Sequence, residues 1–453
     1  MNNKKSLLQT IKDSSVLYTL IAIITGFIVG AILLAVIGIS PIAAYGRLIE
    51  GIFGKPKYLA WSIVYASPLI LTGLSVAFSF KTGVFNIGAE GQFVVGSLAA
   101  VVVGSCLNLP PVIHVIACAL AAMLAGALWG TFVAILKVKK GINYKLGEPN
   151  YDILELACNV ASIRSFPNFI FLDAPFNKTA GENNTEIAYM GCGTRVLENV
   201  IDEEKQVSEG RGNLSLTTIN LPRLGIKRMT SEKVDLSSFF NELEEKMDLV
   251  KDQLLERYEI QCGKKKYNFP FLLGQEVWLD SEKIKDNDNL RRALKHGTLS
   301  IGYIGLAECL KALTGKHHGE SEEAQKLGLK IVKFMRNKCD EYTQKYNLNF
   351  VLMATDSESL KGNFSKLDQA IYGKIKGITD KKQYTTSFQV PENCKMSVEQ
   401  RIKLEAPYHK LSNGGHITRI RIEKNVAEPE MEYIKTIQMM QENGIGYGII
   451  ENK

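Results

Sequence analysis

The stretch "AILKVKKGINYKLGEPNYDILELACN" (residues 134–159) joins two kinds of chain. To its left lie almost unbroken apolar segments. To its right, apolar and polar residues mix as they do in a water-soluble α/β protein. Lys137, Lys139 and Lys140 mark the change. Reading this join as a boundary decides the architecture: residues 1–140 are expected to sit in a membrane and residues 141–453 outside it.

Charge divides at the same place. The chain holds 54 Lys and Arg against 47 Asp and Glu; residues 1–140 carry ten of the former and three of the latter (Asp13, Glu50, Glu90), which leaves 44 of each for 141–453. The net charge of +7 therefore belongs to lysines and arginines flanking apolar spans, as membrane insertion favours, and does not indicate a nucleic-acid partner. The eight cysteines are Cys106, Cys118, Cys158, Cys192, Cys262, Cys309, Cys339 and Cys394. No two form a CxxC pair, so neither a secreted disulfide framework nor a zinc site of paired ligands is expected.

Four stretches, near 16–38, 58–80, 87–107 and 112–136, are apolar over about the 20 residues that cross a bilayer. The first is too long and too internal for a cleaved signal peptide. Lysines precede the first span (Lys4, Lys5, Lys12) and follow the fourth, so the even count places both ends, and the soluble part, on the cytoplasmic side of the membrane. Arg47, Lys55 and Lys57 then fall in an outside loop. In "FKTGVFNIGAEGQFVVGSLAA" (80–100), Glu90 is an acid among glycines and apolar residues. Two readings stay open: a functional intramembrane carboxylate, or a short cytoplasmic loop between the second and third spans.

"GVFNIGAEGQF" (83–93) resembles the permease subunits of ATP-driven sugar and nucleoside importers, and the resemblance covers nearly all of 1–140. It implies Asn86 and Glu90 as transport-motif residues, lipid around residues 16–136, and a separate transporter ATPase as partner. Such permeases have more spans than four, and this chain has no G-x-x-x-x-G-K-[ST] loop with which to drive transport. Transport by this segment alone is not expected.

Beyond 141 the pattern is mixed α/β. Phe239, Phe240, Leu243, Met247, Val250 and Leu254 recur at helical spacing in 235–258, with Asp235 or Ser237 as N-cap, and Ala324, Leu327, Ile331, Phe334 and Met335 do so in 320–346. "SIGYIGLAECLKALTG" (300–315) reads as a helix stopped by Gly315. "LSLTTINL" (214–221), "FVLMAT" (350–355) and "HITRIRI" (416–422) lean to strand. His317 and His318 read as a solvated loop, and His296, His409 and His416 as dispersed. Cys192, between two glycines in "AYMGCGTRV" (188–196), has no apolar stripe around it, which leaves a reactive thiol open as a reading.

"AYMGCGTRV", "GRGNLSLTTINLPRLGI" (210–226), "LKHGTLSIGYIGLAECLKALTGKHHGES" (294–321), "EAPYHKLSNGGHIT" (405–418) and "GIGYGII" (444–450) occur in order. Together they resemble the anaerobic ribonucleoside-triphosphate reductases of the glycyl-radical class, from about residue 141 to the end; "GEPNYDILELACNVASIRSFPNFI" (147–170) matches too. The resemblance implies an α/β domain forming the C-terminal part of a ten-stranded barrel, and radical reduction of ribonucleotides to deoxyribonucleotides. By motif position it implies Cys192 as the thiyl-radical cysteine and Asn213 as a residue near the ribose hydroxyls. It also implies Thr355, Ser357 and Glu358, in "ATDSES" (354–359), as contacts to substrate phosphates. It further implies a glycyl radical made by a separate S-adenosylmethionine/iron–sulfur activase, and zinc in a C-terminal site.

Two departures stand out. The family usually has arginine where this chain has Gly193, and its Thr-Pro-Ala-Glu pattern reads Thr355-Asp356-Ser357-Glu358 here. The nucleotide-sensing domain, the first half of the barrel, the zinc site and the radical loop are expected to lie outside 141–453, so no cofactor or metal is expected on this chain. The reading that follows is a chimera of a reductase portion and a permease fragment, produced by recombination, misassembly or a frameshifted pseudogene and inactive as it stands. A second reading is a membrane-tethered nucleotide-binding or reductase-like protein whose missing parts are supplied by partners. The alternative is a permease component with a regulatory soluble tail.

Overall fold

The computed structural model describes residues 15–58, 60–61, 64, 89–107, 109–138, 146–148, 150–164, 167–177, 187–190, 193–196, 199, 201–202, 207–208, 210–229, 235–270, 272–423 and 429–452. The chain divides into two compact units, residues 1–140 with 267–277, and 141–266 with 278–453.

In the first unit four helices are described: α1 (Ser15–Val36), α2 (Pro41–Phe53), α3 (Ala89–Cys106) and α4 (Pro111–Val138). Among the described residues α4 alone is long and apolar enough to cross a membrane, with mean hydropathy 2.2 over Pro111–Leu128; Ile23–Val36 and Phe93–Cys106 are shorter apolar runs. The expected span near 58–80 lies largely outside the described residues. Among the described residues, one of the four expected spans is thus met at full length.

Arg47, in the expected outside loop, lies on the helix α2. Ser40 caps it, its hydroxyl accepting the Ala43 N–H, and Pro41 occupies the first turn, where a missing N–H costs nothing. Tyr45 ties α2 to α1 by donating to the Phe27 carbonyl at 2.6 Å. On α3 and α4 the backbones approach closely, since a Cβ on Gly96 would lie 2.9 Å from the Ala122 carbonyl oxygen.

The second unit begins with α5 (Tyr151–Arg164), followed by the short strands β1 (Phe169–Ile170), β2 (Ala188–Tyr189) and β3 (Arg195–Val196). Next comes the main parallel sheet, in the order β4 (Asn213–Asn220), β5 (Thr298–Ile304), β6 (Asn349–Ala354), with Thr217 opposite Ile301 and Ile301 opposite Leu352. Every residue of β5 and β6 is buried, so neither strand shows the alternation of a half-exposed sheet.

Helices α6 (Leu221–Ile226), α7 (Leu236–Cys262) and α8 (Arg291–Leu294) carry the chain from β4 to β5; α9 (Leu306–Thr314) and α10 (Glu322–Tyr346) carry it to β6. Then follow α11 (Glu358–Tyr372), α12 (Val398–Leu411), β7 (Thr418–Ile422), α13 (Pro429–Glu442) and β8 (Tyr447–Asn452). Strands β7 and β8 are parallel, and β1 pairs antiparallel with the other edge of β8.

Helix α7 buries Phe239, Leu243, Met247, Val250 and Leu254, the stripe read from the sequence, and the Asp235 carboxylate caps it by accepting the N–H groups of Ser237 (3.0 Å) and Ser238 (3.2 Å). Asp235→Ala is expected to lower stability by about 1 kcal/mol, read as a shift in urea midpoint at unchanged slope.

Two expectations fail here. Residues 300–304 are strand, and the helix begins only after Gly305, whose φ of +78 turns the chain. His317 and His318 are buried, not solvated: the His318 imidazole hydrogen-bonds the Phe388 carbonyl at 2.8 Å. The chain just after the join is already core. Leu154, Cys158 and Ala161 of α5 pack with Tyr433, Ile434, Ile437 and Met440 of α13 and with Ile420 and Ile450.

Candidate functional site

Strands β2 and β3 pair antiparallel around a tight turn. Met190 N–H donates to the Thr194 carbonyl (2.8 Å) and Gly193 N–H to the Met190 carbonyl (2.9 Å). Gly191 and Cys192 fall between these bonds and lie outside the described residues. Gly193 has φ +77, and a Cβ there would run into the Ile417 side chain. The arginine that the resemblance puts at this position would hold such a backbone only under strain.

Residues 413–417 bind the turn to the main sheet. His416 N–H donates to the Gly193 carbonyl (3.2 Å) and Arg195 N–H to that of Gly414 (2.9 Å). Gly415 bridges both Thr194 and Met353. At the other end, a methyl on Gly212 would lie 3.6 Å from Met190 Cε. The hairpin therefore lies along the sheet, from the start of β4 to the end of β6. Asn213 stands at the first of these ends, where its side-chain oxygen accepts the Ser300 hydroxyl at 2.9 Å.

Thr355, Ser357 and Glu358 lie at the opposite end. The Thr355 and Thr218 hydroxyls are 3.1 Å apart, Ser357 caps α11, and Glu358 accepts from Lys361 at 2.7 Å. Thr218 follows Asn213 by five residues on β4, about 16 Å of extended chain. The structure thus places Asn213 next to Gly212, which adjoins Met190 of the β2–β3 hairpin, and away from the Thr355–Glu358 loop. Asn86 is outside the described residues; Glu90 falls in the first turn of α3, so its backbone is helical and not a loop.

Sequence reasoning missed a buried polar network behind the turn. His409 and His416, read as dispersed, have ring centroids 4.4 Å apart. His416 Nδ1–H donates to the Ser412 carbonyl (2.8 Å), which leaves Nε2 to accept the Tyr189 hydroxyl (2.9 Å). His409 Nδ1 accepts the Gly446 N–H (3.1 Å); its Nε2–H donates to Thr418, and the Thr418 hydroxyl donates to Glu405 at 2.8 Å. Arg195, also buried, donates to Asn177 (2.9 Å) and to the Phe176 carbonyl (2.8 Å).

Burial sets the protonation states. It pushes the Glu405 carboxyl up to about 7 despite Arg401 nearby, and the Tyr189 phenol up to about 12. It drives His416 down to about 3, and His409, which also feels His416, well below its ordinary value. The only sequence signal for this network was that its members fall inside the quoted motifs. The described residues do not fit a zinc site, since no three His, Cys, Asp or Glu among them converge.

Comparison with known proteins finds two families on the chain, with matches that overlap over residues 112–146. The profile of a family described as anaerobic ribonucleoside-triphosphate reductase matches residues 112–453. That of the branched-chain amino acid transport system / permease component matches residues 58–146. Over 288 residues the chain is 34% identical to the anaerobic ribonucleoside-triphosphate reductase of Salmonella typhimurium, covering 62% of this chain and 39% of that protein. Over 126 residues it is 46% identical to the guanosine ABC transporter permease protein NupP of Bacillus subtilis, covering 28% of this chain and 36% of that protein. The chain thus spans about two fifths of the length of the curated reductase it matches. In fold it is similar to the hydroxyproline dehydratase of Clostridioides difficile, with TM-score 0.51 and 12% identity, covering 67% of this chain and 45% of that one.

Proposed function

The chain belongs to the anaerobic ribonucleoside-triphosphate reductase family and carries a permease-like region ahead of the reductase-like one, and from that premise we propose that residues 141–453 hold a ribonucleoside-triphosphate site in which Cys192 reacts at the ribose. In this reading residues 1–140 anchor the chain in the cytoplasmic membrane and leave the reductase-like region in the cytoplasm. Asn213 hydrogen-bonds near the ribose hydroxyls, and the Thr355–Glu358 loop contacts the phosphates. A glycyl radical made by a separate activase is what would arm Cys192; the chain itself binds no cofactor.

The observation that carries the reading is the clamped turn. Met190, Gly193 and Thr194, which flank position 192, are joined by two backbone bonds and linked through Gly415 to β6, in a parallel sheet whose second and third strands are buried throughout. That is the rigid support a radical-carrying side chain requires, since the reacting atoms must be held in place and away from water.

The test is binding of ribonucleoside triphosphates and their 2′-deoxy analogues to the detergent-solubilised full chain. Wild type should prefer the ribonucleotide, and Asn213→Ala should weaken ribonucleotide binding about tenfold while leaving the deoxy analogue nearly unchanged. Equal losses for both ligands would argue that Asn213 acts only through the fold.

The 46% identity to a guanosine permease favours a second reading, in which the membrane segment serves a nucleoside importer with a separate ATPase and residues 141–453 regulate it. Deleting 150–453 would then change uptake by the co-expressed complex.

A further inference from the structure

We propose that Asp356 is an internal substitute for a phosphate: its carboxylate occupies a cationic seat formed by Arg419 and Lys361, and so lowers the affinity of the Thr355–Glu358 loop for phosphorylated ligands. The inference rests on the reading of that loop given above. Arg419, from β7, donates to Asp356 Oδ2 at 2.6 Å, and the Lys361 ammonium, from α11, lies 3.8 Å from Oδ1. Two cations from separate elements thus converge on one carboxylate. The Asp356 side chain is 13% exposed and that of Lys361 6%, so water screens the contact little.

The two cations have other partners, and these limit what a ligand has to displace. Lys361 also meets Glu358 (2.7 Å) and the Thr386 hydroxyl (2.8 Å), while the other terminal nitrogen of Arg419 holds Glu451 at 2.6 Å. Asp356 takes a single charge-assisted bond from one terminal nitrogen of the guanidinium, a donor that a phosphate oxygen would equally use.

Open space adjoins the two cations. A hollow of about 420 Å³ is lined by Arg401, Arg419 and Arg421 with Glu392 and Glu423, and a second of about 340 Å³ by Lys361 and Lys381 with Glu392; Asp356 itself lines neither. A phosphate entering from either hollow meets Arg419 or Lys361 already paired with Asp356. Their like charges repel at this range, so the ligand must displace the carboxylate or bind beside it at a loss. The reductase-like pattern has proline where this chain has Asp356, so the anion is a feature of this sequence. A purely structural role, tying β7 to α11, is the competing account, and it predicts no gain in anion affinity when the charge is removed.

The experiment uses the detergent-solubilised full chain with inorganic tripolyphosphate and a ribonucleoside triphosphate as probes. Asp356→Asn keeps the shape and removes the charge; Asp356→Ala removes both contacts and guards against an amide that still fills the seat. Each should bind tripolyphosphate about tenfold tighter than wild type, and Arg419→Gln added to Asp356→Asn should abolish the gain. Unchanged tripolyphosphate affinity in both variants, with the ribonucleoside triphosphate still bound, overturns the proposal and leaves the nucleotide site standing. If wild type and variants bind neither probe, the nucleotide-site reading fails and this proposal fails with it.

Discussion

Unfolding of the reductase-like unit is expected to become steeply easier as the pH falls from about 6.5 toward 4.5, with a net uptake of about two protons on unfolding near pH 5. Burial holds His416 and His318 down to about 3 and His409 well below its ordinary value. A group with a depressed folded pKa gives stability that is whole above its unfolded pKa, here 6.5, and is lost as the pH drops toward the folded value. Each such histidine costs roughly 1.4 kcal/mol per pH unit over that window.

Glu405 works in the opposite direction. Its folded pKa of about 7 lies above the ordinary 4.5, so its contribution is fully present below 4.5 and fades as the pH rises to 7. One carboxyl offsets about one of the three histidines, and acid lability wins. The geometry explains why protonation is resisted: the two rings 4.4 Å apart cannot both carry charge, and among the described residues His318 Nδ1 has no partner to receive a new proton's hydrogen bond. Urea midpoints measured at half-unit pH steps give the proton uptake directly. A flat profile between pH 6.5 and 5 would show that these rings titrate normally.

Gly193→Val is expected to cost about 4 kcal/mol, enough to remove much of a typical domain's stability. Two terms combine. A β-branched side chain at φ +77 is strained by about 1–3 kcal/mol, and its Cβ collides with Ile417 in a packed site, for about 1–3 kcal/mol more. Asparagine separates them, since it tolerates left-handed backbone but still carries a Cβ. If Gly193→Asn falls midway between wild type and Gly193→Val in urea unfolding, both terms act. If Gly193→Val is no less stable than wild type, the turn is not clamped as described.

What the sequence disclosed depended on how locally each feature is caused. Asp235 and the Phe239–Leu254 stripe lie within one helix, so spacing alone exposes them, and the same holds for Gly315 as a C-terminal stop. The burial of His318 is set by Phe388 and Tyr408, far along the chain, while the neighbours Lys316, Gly319 and Glu320 read as solvent-facing. Likewise, nothing near His409 in sequence announces Gly446 or Thr418 as its partners. Residues 300–304 were read as helix because a fully buried parallel strand lacks alternation and so resembles the helix it adjoins. Asn213 and Cys192 came from motif resemblance. Asp356 carries a pairing that no motif suggests.

The placement of α5 also sets a timetable for synthesis. The first soluble helix to leave the ribosome after the membrane segment buries Leu154, Cys158 and Ala161 against α13. That partner is made some 280 residues later, or roughly 15–60 s at ordinary elongation rates. For most of that interval the helix has only Phe171 and Ala174 of its buried core cluster beside it. Yield from this gene should therefore track the supply of holdase chaperones more closely than the equilibrium stability of the finished protein.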